Sequence, residues 1–390
     1  MKTVFVKPRF RGVPLHRLYY ELEKHPPKGY KIVTPELESV NKFSTLLSKT
    51  RGPFYKKIMY HVNAVPYILY QLRDGVYIPA DADLIYAAQH VITTEKPWVV
   101  DVEFASALSG YCDLTFVKKI IENKLKQKNC KKILAWSDWS KRTILQSFNN
   151  KSISEKIQVV RYTTDIKKVE KRQEHSVIRL LFMGTVNVST MSNFEYKGIY
   201  ETIGAFVSLQ KEYGNRVQLI IKSKIPEDLR DLVAMNKGIT LIEEVLTPEE
   251  VQKLYMTSGI FPHVGYETMN FSVLEAMSYG LPVIATDIFN TPELIQEGKN
   301  GFLIKLPNVE KFYTKHELPN EYSLSYLKEI RKVRSYVTQK LTEKIRLLIE
   351  DSKLREQIGS EARRTIAEGE FSLQHRNELL RNIFDEATGS

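Results

Sequence analysis

Two glutamates in the C-terminal half have the spacing of a ligand site. Glu267 precedes a helix that is predicted to begin near Asn270, and Glu275 lies eight residues later, inside that helix. The start of a helix presents free backbone N–H groups and the positive end of the helix dipole, which both attract anions. Two carboxylates beside such an anion site suit a ligand that has a phosphate and several hydroxyls. A nucleotide sugar fits this description.

The elements around this segment follow an α/β pattern. The predicted helix ends at Gly280, a residue type that readily takes the left-handed C-cap conformation, and a buried strand is expected at 282–285. Upstream, residues 178–184 are predicted to form a buried strand that ends in glycine, followed by a helix at 198–213 and a strand at 218–221. Short apolar runs alternate with helix-period stretches along the whole chain, which indicates parallel α/β layers.

The same alternation continues through the N-terminal half and past the glutamate segment. Strands are expected at residues 3–6, 31–33, 84–87, 98–102, 132–135 and 158–160. Helices are expected at residues 14–23, 64–74, 117–128, 140–147 and 372–387, and from a capping box at Thr247 and Glu250. Residues 165–176 are interpreted as a linker and residues 315–344 as a helical surface elaboration.

Composition excludes several classes of protein. The chain has 390 residues, 43% of them hydrophobic, which is globular composition with room for two or three domains. No apolar run approaches the ~18 residues of a membrane-spanning helix. The apolar segment at the start is too short for a signal peptide, and two cysteines cannot form a disulfide framework. A cytoplasmic location is expected.

The excess of positive charge is confined to the first half of the chain. Residues 1–175 contain 31 Lys and Arg against 17 Asp and Glu, whereas the remainder contains 26 against 29. A one-sided field of this kind attracts a polyanion, an anionic membrane surface or a phosphorylated substrate.

The spacing of the glutamates also resembles a known family. Glu267, seven intervening residues and Glu275, followed by Ala-Met-Ser-Tyr-Gly-Leu-Pro-Val-Ile-Ala-Thr, resemble the signature of retaining glycosyltransferase family 4, the glycosyl transferases group 1. Lys299-Asn-Gly-Phe-Leu-Ile and Lys197-Gly198 resemble further family motifs. The resemblance implies the GT-B fold, with two doubly wound, Rossmann-like α/β domains facing across a cleft. Residues 1–170 would bind the acceptor, residues 177–370 the nucleotide sugar, and helix 371–390 would cross back to the N-terminal domain.

The resemblance also implies roles for residues. Glu275 would bind the ribose hydroxyls, and Glu267 would hold the transferred sugar. Lys197 would neutralise the charge that builds on the departing diphosphate. The implied donor-binding set further contains Gly184 and the start of the helix, at Asn270, Phe271 and Ser272.

This sequence departs from the family pattern at the first strand of the second domain. Where the family usually has Arg after the glycine of that strand, this chain has Thr185. Lys222 or Lys224, after the next strand, is a candidate for the missing positive charge, and each is equally consistent with a solvated lysine.

The first domain offers a carboxylate at the end of a predicted strand. The family commonly has a histidine that reaches the sugar at the position of Glu103, and Asp101 lies two residues earlier on the same face of the strand. Either carboxylate could accept a proton from the acceptor or bind sugar hydroxyls, and Glu103 is preferred. The alternative is that both make ordinary hydrogen bonds at the edge of a loop.

The resemblance therefore implies a metal-independent, retaining glycosyltransferase with a nucleoside diphosphate sugar as co-substrate and no further cofactor. The alternative is a non-catalytic protein of the same fold that binds nucleotide sugars or polyanions. Asp81-Ala-Asp83 spells the motif of metal-dependent transferases but is interpreted as the turn into a strand.

The charge split predicts an anionic glycan or a lipid-linked acceptor, bound at the inner membrane surface, and no nucleic acid. Aromatic residues that could stack on bases are absent from the basic run. The lysines and arginines expected to dock on the surface are Lys118, Lys119, Lys124, Lys126, Lys128, Lys7, Arg9 and Arg11.

Overall fold

The computed structural model of this chain forms two compact units. Unit 1 consists of Met1–Thr163, Tyr313–Ser323 and Glu370–Ser390, and unit 2 consists of Thr164–Phe312 and Leu324–Gly369. The C-terminal residues therefore group with the N-terminal unit. The structure describes residues 1–8, 15–35, 64–73, 78–167, 177–184, 192–268, 271–314, 316–319 and 324–389.

Unit 1 is built on a six-stranded parallel sheet in the order β2-β1-β3-β4-β5-β6. The central strands β3 and β4 are buried along their whole length, as expected for a parallel sheet that is covered on both faces. The strands are β1 (Lys2–Lys7), β2 (Tyr30–Val33), β3 (Leu84–Ala88), β4 (Trp98–Val102), β5 (Cys130–Ala135) and β6 (Ile157–Val159).

The described helices of unit 1 lie close to the predicted ones, except for a short helix at Lys151–Ser154 that was not predicted. They are α1 (Arg17–Lys24), α2 (Ala64–Arg73), α3 (Lys118–Leu125), α4 (Asp138–Ser147), α5 (Lys151–Ser154) and, at the C-terminal end of the chain, α14 (Leu373–Thr388). Ser137 caps α4 through its side chain, which accepts a hydrogen bond from the backbone of Ser140. Helix α14 packs against β3 and β5.

Unit 2 contains two three-stranded parallel ladders that join into one sheet. The ladders have the orders β7-β8-β9 and β10-β11-β12. A parallel bridge between Leu180 and Ile260 places β7 beside β10, which gives the overall order β9-β8-β7-β10-β11-β12. The strands are β7 (Ile178–Met183), β8 (Val217–Lys222), β9 (Ile239–Ile242), β10 (Phe261–His263), β11 (Val283–Asp287) and β12 (Gly301–Lys305).

The helices of unit 2 connect its successive strands, except the last two, which follow the final strand. They are α6 (Ser192–Tyr196), α7 (Ile199–Tyr213), α8 (Arg230–Met235), α9 (Pro248–Thr257), α10 (Phe271–Ser278), α11 (Thr291–Leu294), α12 (Leu324–Glu350) and α13 (Ser352–Ala367). The predicted capping box is present at the start of α9, where the Thr247 and Glu250 side chains bond each other's backbone N–H groups.

The prediction of a surface elaboration at residues 315–344 is wrong. Helix α12 packs along α7, and its Tyr326, Ile330, Val337 and Leu341 side chains have no exposed area. The apolar residues recur every three or four positions, which gives this charge-rich helix a continuous buried stripe. The helix is therefore part of the unit 2 core.

Both strand orders are doubly wound, so the predicted α/β class is confirmed in each unit. Such sheets bind ligands outside the carboxyl ends of the strands, at the point where the strand order reverses. In unit 2 this point lies between β7 and β10, and in unit 1 it lies between β1 and β3.

Candidate functional site

Residues 264–268, here called the site loop, leave the carboxyl end of β10 at the reversal point of unit 2. Glu267 lies on this loop, and its carboxylate is bonded to the Lys197 ammonium. The two side chains are similarly accessible, with exposed fractions of 21% for Glu267 and 22% for Lys197. A cation and an anion thus lie side by side at the edge of the sheet where ligands bind.

Lys197 reaches the site loop because the turn between α6 and α7 is pressed against it. Gly198 has a φ of +73°, and a Cβ atom there would lie 2.4 Å from the Val264 carbonyl oxygen. Only glycine fits this approach. The backbone N–H of Tyr266 donates to the Tyr196 carbonyl at 2.7 Å, which ties the loop to the end of α6.

The remainder of the loop is fixed from the sheet side. The Thr286 hydroxyl, on β11, donates to the Gly265 carbonyl. A Cβ atom on Gly265 would lie 3.2 Å from the Tyr196 carbonyl oxygen, a tight contact. The loop is therefore held by backbone contacts on two sides.

His263 is the last residue of β10, directly before the site loop, and its side chain is buried. Burial lowers the pKa of His263 to about 4; Glu267 opposes this shift and Lys197 adds to it. The imidazole ring lies nearly parallel to the ring of Phe261 at 6.1 Å. At neutral pH His263 is uncharged, so Lys197 is the cation that Glu267 contacts.

Glu275 lies on α10 and is largely buried, with 7% of its surface exposed. The Tyr255 hydroxyl donates to its carboxylate at 3.3 Å. Tyr255 in turn stacks on Tyr279 with 5.2 Å between ring centres and 6° between ring planes. The carboxylate is thereby oriented by a fixed aromatic pair. As predicted, Gly280 ends the helix in the left-handed conformation, with a φ of +71°.

The other predicted donor-binding residues lie at the start of α10 and after β7. Phe271 and Ser272 form the first turn of α10. Gly184 follows β7 and donates its N–H to the Lys222 carbonyl at 3.0 Å. A Cβ atom on Gly184 would lie 2.2 Å from the Ser223 hydroxyl, so the strand ends approach closely. Asn270 and Thr185 lie outside the described residues.

The two candidate lysines differ in environment. Lys222 ends β8 and is 7% exposed, and its burial lowers the pKa of its ammonium, an effect that Glu244 opposes. Lys224 is exposed, and its backbone carbonyl accepts from the Ser223 hydroxyl at 2.7 Å. Lys222 is the last residue of β8 and Lys224 lies two residues beyond it, and β8 is the neighbour of β7, the strand that Gly184 follows.

In unit 1, Asp101 is completely buried in β4. It accepts hydrogen bonds from the Tyr19 hydroxyl, the Trp136 Nε1–H and the Gln89 backbone N–H, at 2.8 to 3.0 Å. Both oxygens are engaged and neither is exposed. This arrangement matches the alternative of ordinary hydrogen bonds.

Glu103 follows β4 and is partly exposed. Its carboxylate accepts from the Tyr111 hydroxyl at 2.6 Å, and its backbone carbonyl accepts from the Ser140 hydroxyl. Of the two predicted carboxylates of unit 1, Glu103 is therefore the one that a ligand can reach.

Sequence reasoning missed a buried polar cluster beneath the site loop. Its members are Glu195, Glu201, Tyr266, Tyr326 and Arg334. Glu201 is four residues before Ala205, which is buried, so its helical spacing places it on the apolar face of α7. That spacing is the signal that could have revealed it.

Comparison with known proteins finds a family match for part of the chain. Residues 178–317 match the family described as glycosyl transferases group 1. An uncharacterized glycosyltransferase of Methanocaldococcus jannaschii is 27% identical over 214 residues, which is 53% of this chain and 52% of that protein. Spore coat protein SA of Bacillus subtilis is 26% identical over 218 residues, 53% of this chain and 48% of that protein. The chain spans about half the length of these curated relatives.

A solved structure is similar over almost the whole chain. The crystal structure of HepE from Anabaena, in complex with UDP and glucose, aligns with 98% of this chain, and the alignment covers 98% of the HepE chain. The TM-score is 0.59 and the sequence identity is 16%. The likeness extends to the fold of both units.

Proposed function

We propose that this chain, which is a group 1 glycosyltransferase over residues 178–317, transfers a sugar from a nucleoside diphosphate sugar to an acceptor hydroxyl with retention of configuration. The observation that carries the proposal is the pairing of Lys197 with Glu267 at the reversal point of unit 2. A phosphate and a sugar hydroxyl group are the two ligand groups that such a pair suits, and a nucleotide sugar has both.

Lys197 and the start of α10 are proposed to bind the diphosphate. The ammonium contributes positive charge, and the first turn of α10 contributes backbone N–H groups and the positive end of its dipole. As the sugar departs, negative charge grows on the diphosphate and its attraction to Lys197 increases. This protein cation would do the work of a metal, so we propose that transfer is metal-independent.

Glu267 is proposed to hold the hydroxyls of the transferred sugar, and Glu275 those of the ribose. Glu275 is suited to a fixed contact because Tyr255 already orients it. Charge-assisted hydrogen bonds of this kind are stronger than neutral ones. HepE, which has the same fold, was crystallised with UDP and glucose, so UDP-glucose is the first donor to examine.

In the proposed reaction the acceptor oxygen bonds to the anomeric carbon on the face that the diphosphate leaves. The bond between that carbon and the diphosphate oxygen breaks, and the acceptor proton passes to the departing phosphate. This step balances without a nucleophile from the protein. The site residues orient the donor and stabilise the leaving group.

The test is turnover with a panel of UDP- and GDP-sugars. We expect slow release of nucleoside diphosphate from at least one donor without acceptor, and the same rate after treatment with EDTA. The first sugar product should have the anomeric configuration of the donor by NMR. Tight binding of a donor without release would instead identify a non-catalytic nucleotide-sugar-binding protein.

We further propose that the acceptor is an anionic or lipid-linked glycan that unit 1 binds at a membrane surface. The excess positive charge lies in residues 1–175. Lys118, Lys119, Lys126 and Lys128 on and after α3 are exposed, and Phe116, just before α3, is 65% exposed. A large apolar side chain among lysines suits the interface of an anionic bilayer.

Four of the predicted docking residues are not shown as fully exposed by the described part of the structure. Lys7 is only 2% exposed, so its prediction as a surface contact is wrong. Arg9 and Arg11 lie outside the described residues. Lys124 is partly exposed and donates to the Thr93 hydroxyl at 2.9 Å. Within the described part of the chain, no helix has the length and apolar character to cross a bilayer.

A further inference from the structure

Glu201 is a carboxylate in the core of unit 2 with no exposed area. Its Oε1 accepts a hydrogen bond from the Tyr266 hydroxyl at 3.0 Å and lies 3.6 Å from the Nε atom of Arg334. Its Oε2 is buried and has no hydrogen-bond partner among the described residues. The guanidinium of Arg334 is bonded to Glu195 and stacks over the Tyr200 ring at 4.1 Å.

Burial of this carboxylate does not serve the stability of unit 2. Taking a charged group out of water is unfavourable, and an oxygen without a partner adds to the cost. Burial accordingly raises the pKa of Glu201 to about 7, although Arg334 and Tyr266 favour its ionised form. The hydrogen bond that Glu201 accepts comes from Tyr266, the residue directly before Glu267.

Tyr266 is held in the site loop by three hydrogen bonds. Its hydroxyl bonds Glu201 on α7, its N–H bonds Tyr196 on α6, and its carbonyl accepts from the Tyr326 hydroxyl on α12. Its ring lies nearly parallel to that of Phe312 at 5.7 Å. Three helices therefore fix the position from which the Glu267 side chain leaves the backbone.

We propose that Glu201 is a positioning residue of the donor site, which acts through the Tyr266 hydroxyl to hold Glu267 in the place where it pairs with Lys197. The proposal rests on the proposed function, since Glu267 holds the transferred sugar there. Glu201 touches neither donor nor acceptor. Its effect is on the geometry of the sugar contact, so it acts on turnover more than on nucleotide affinity.

The decisive comparison is between Glu201→Met and Glu195→Met. Methionine has a similar length and is apolar, so Glu201→Met removes the acceptor for Tyr266 without opening a large cavity. Glu195→Met breaks the ion pairs with Arg331 and Arg334 in the same cluster but leaves the Tyr266 hydrogen bond intact. The control therefore disturbs the cluster and spares the loop. Glu201→Gln keeps an acceptor for the hydroxyl and serves as the conservative variant.

Two readouts are measured on the full chain. Amide hydrogen exchange of a peptide that spans residues 264–268 should rise about tenfold in Glu201→Met, rise less in Glu201→Gln and stay unchanged in Glu195→Met. The kcat of donor hydrolysis should fall about tenfold in Glu201→Met, whereas the affinity for UDP should stay within about twofold of wild type. Glu201→Gln should recover most of that loss. Combining Glu201→Met with Tyr266→Phe should add no further loss, because both remove the same hydrogen bond.

The proposal is overturned if Glu201→Met keeps wild-type exchange in residues 264–268, or if Glu195→Met reproduces its effects on exchange and kcat. Additive losses in the double variant with Tyr266→Phe would also contradict it. A wild-type protein that hydrolyses no donor would remove the proposed function instead. The exchange comparison would still decide the role of Glu201, because it needs no turnover.

Discussion

Lys197 and Glu267, 70 positions apart in the chain, form an ion pair at the carboxyl end of strand β10 in unit 2. Each side chain keeps about one-fifth of its surface exposed, so a ligand can reach both. The pair brings together an ammonium, which suits a phosphate, and a carboxylate, which suits sugar hydroxyls. Replacing either partner should therefore impair a different step.

Lys197→Ala should weaken the binding of UDP and lower turnover. In its proposed role the lysine attracts the diphosphate in the ground state and more strongly in the transition state, so both quantities should depend on it. Binding should weaken by about 1–3 kcal/mol, as for a lost charge-assisted hydrogen bond. Calorimetry with UDP and steady-state donor hydrolysis measure the two effects. Near-normal turnover would remove Lys197 from the site.

Glu267→Gln should lower turnover about 100-fold while UDP affinity changes little. The carboxylate is assigned to the transferred sugar, which UDP lacks, so only the reaction and the binding of the complete donor depend on it. The matched control is Glu297→Gln, an exposed carboxylate of unit 2 that pairs with Lys344. Equal losses in UDP affinity and turnover would place Glu267 on the nucleotide instead.

Glu275→Ala should weaken UDP binding by about 1–3 kcal/mol, because the ribose hydroxyls lose a carboxylate acceptor. Tyr255→Phe should weaken it less, since the carboxylate remains and loses only the hydroxyl that orients it. The ring of Tyr255 still stacks on Tyr279 in this variant, so the fold is preserved. Calorimetric titrations with UDP and with inorganic diphosphate separate the ribose contact from the phosphate contact. Unchanged affinity for UDP in Glu275→Ala would contradict the ribose assignment.

The sequence was most informative where a local pattern decides the structure. The run 98–102 is apolar apart from Asp101 and was predicted with the bounds that β4 has. The capping box at Thr247 and the glycine cap at Gly280 were also predicted correctly, because each depends on a few neighbouring residues. The glycosyltransferase resemblance was confirmed over residues 178–317.

What the sequence could not provide depends on contacts between distant elements. The pairing of Lys197 with Glu267 arises because Gly198 allows the α6–α7 turn to approach Val264. Helix α12 was misjudged because its many charges hid a regular apolar stripe. Glu201 was overlooked because a single carboxylate on an apolar helix face becomes informative only when its hydrogen bond with the Tyr266 hydroxyl is known.

Glu201 and His263 should give unit 2 opposite dependences of stability on pH. Burial raises the pKa of Glu201 from 4.5 to about 7, so the folded state retains a proton that the unfolded state releases between these values. Its contribution to stability is present below pH 4.5 and is lost as the pH rises to about 7. Burial lowers the pKa of His263 from 6.5 to about 4, so its contribution is present above pH 6.5 and is lost as the pH falls to about 4.

Between pH 4.5 and 6.5 the two opposite changes of stability with pH should nearly cancel in the wild type. A variant of one residue should reveal the pH dependence that the other residue causes. Relative to wild type, Glu201→Gln should raise the free energy of unfolding by up to about 3 kcal/mol at pH 8 and by little at pH 4.5. His263→Gln should raise the free energy of unfolding at pH 4.5 and change it little at pH 8. Urea unfolding of the three proteins across this range measures the differences. A gain for Glu201→Gln that does not change with pH would contradict the linkage.

The last prediction concerns the surface formed by α3 and the residues beside it. Wild-type protein should co-sediment with vesicles that contain anionic phospholipid and not with zwitterionic vesicles. Binding should weaken as salt is added, because surface attraction falls off within about 8 Å at physiological ionic strength.

Changing Lys118, Lys119, Lys126 and Lys128 to Glu should abolish this binding, since each nearby lysine contributes about 1 kcal/mol. The matched control changes exposed lysines of unit 2, Lys237 and Lys253, to Glu and should bind as wild type does. Phe116→Ser should reduce binding at high salt more than at low salt, because its apolar contribution is not screened. Equal indifference of the wild type to both kinds of vesicle at low salt would exclude the membrane surface and leave a phosphorylated acceptor in solution as the source of the charge complementarity.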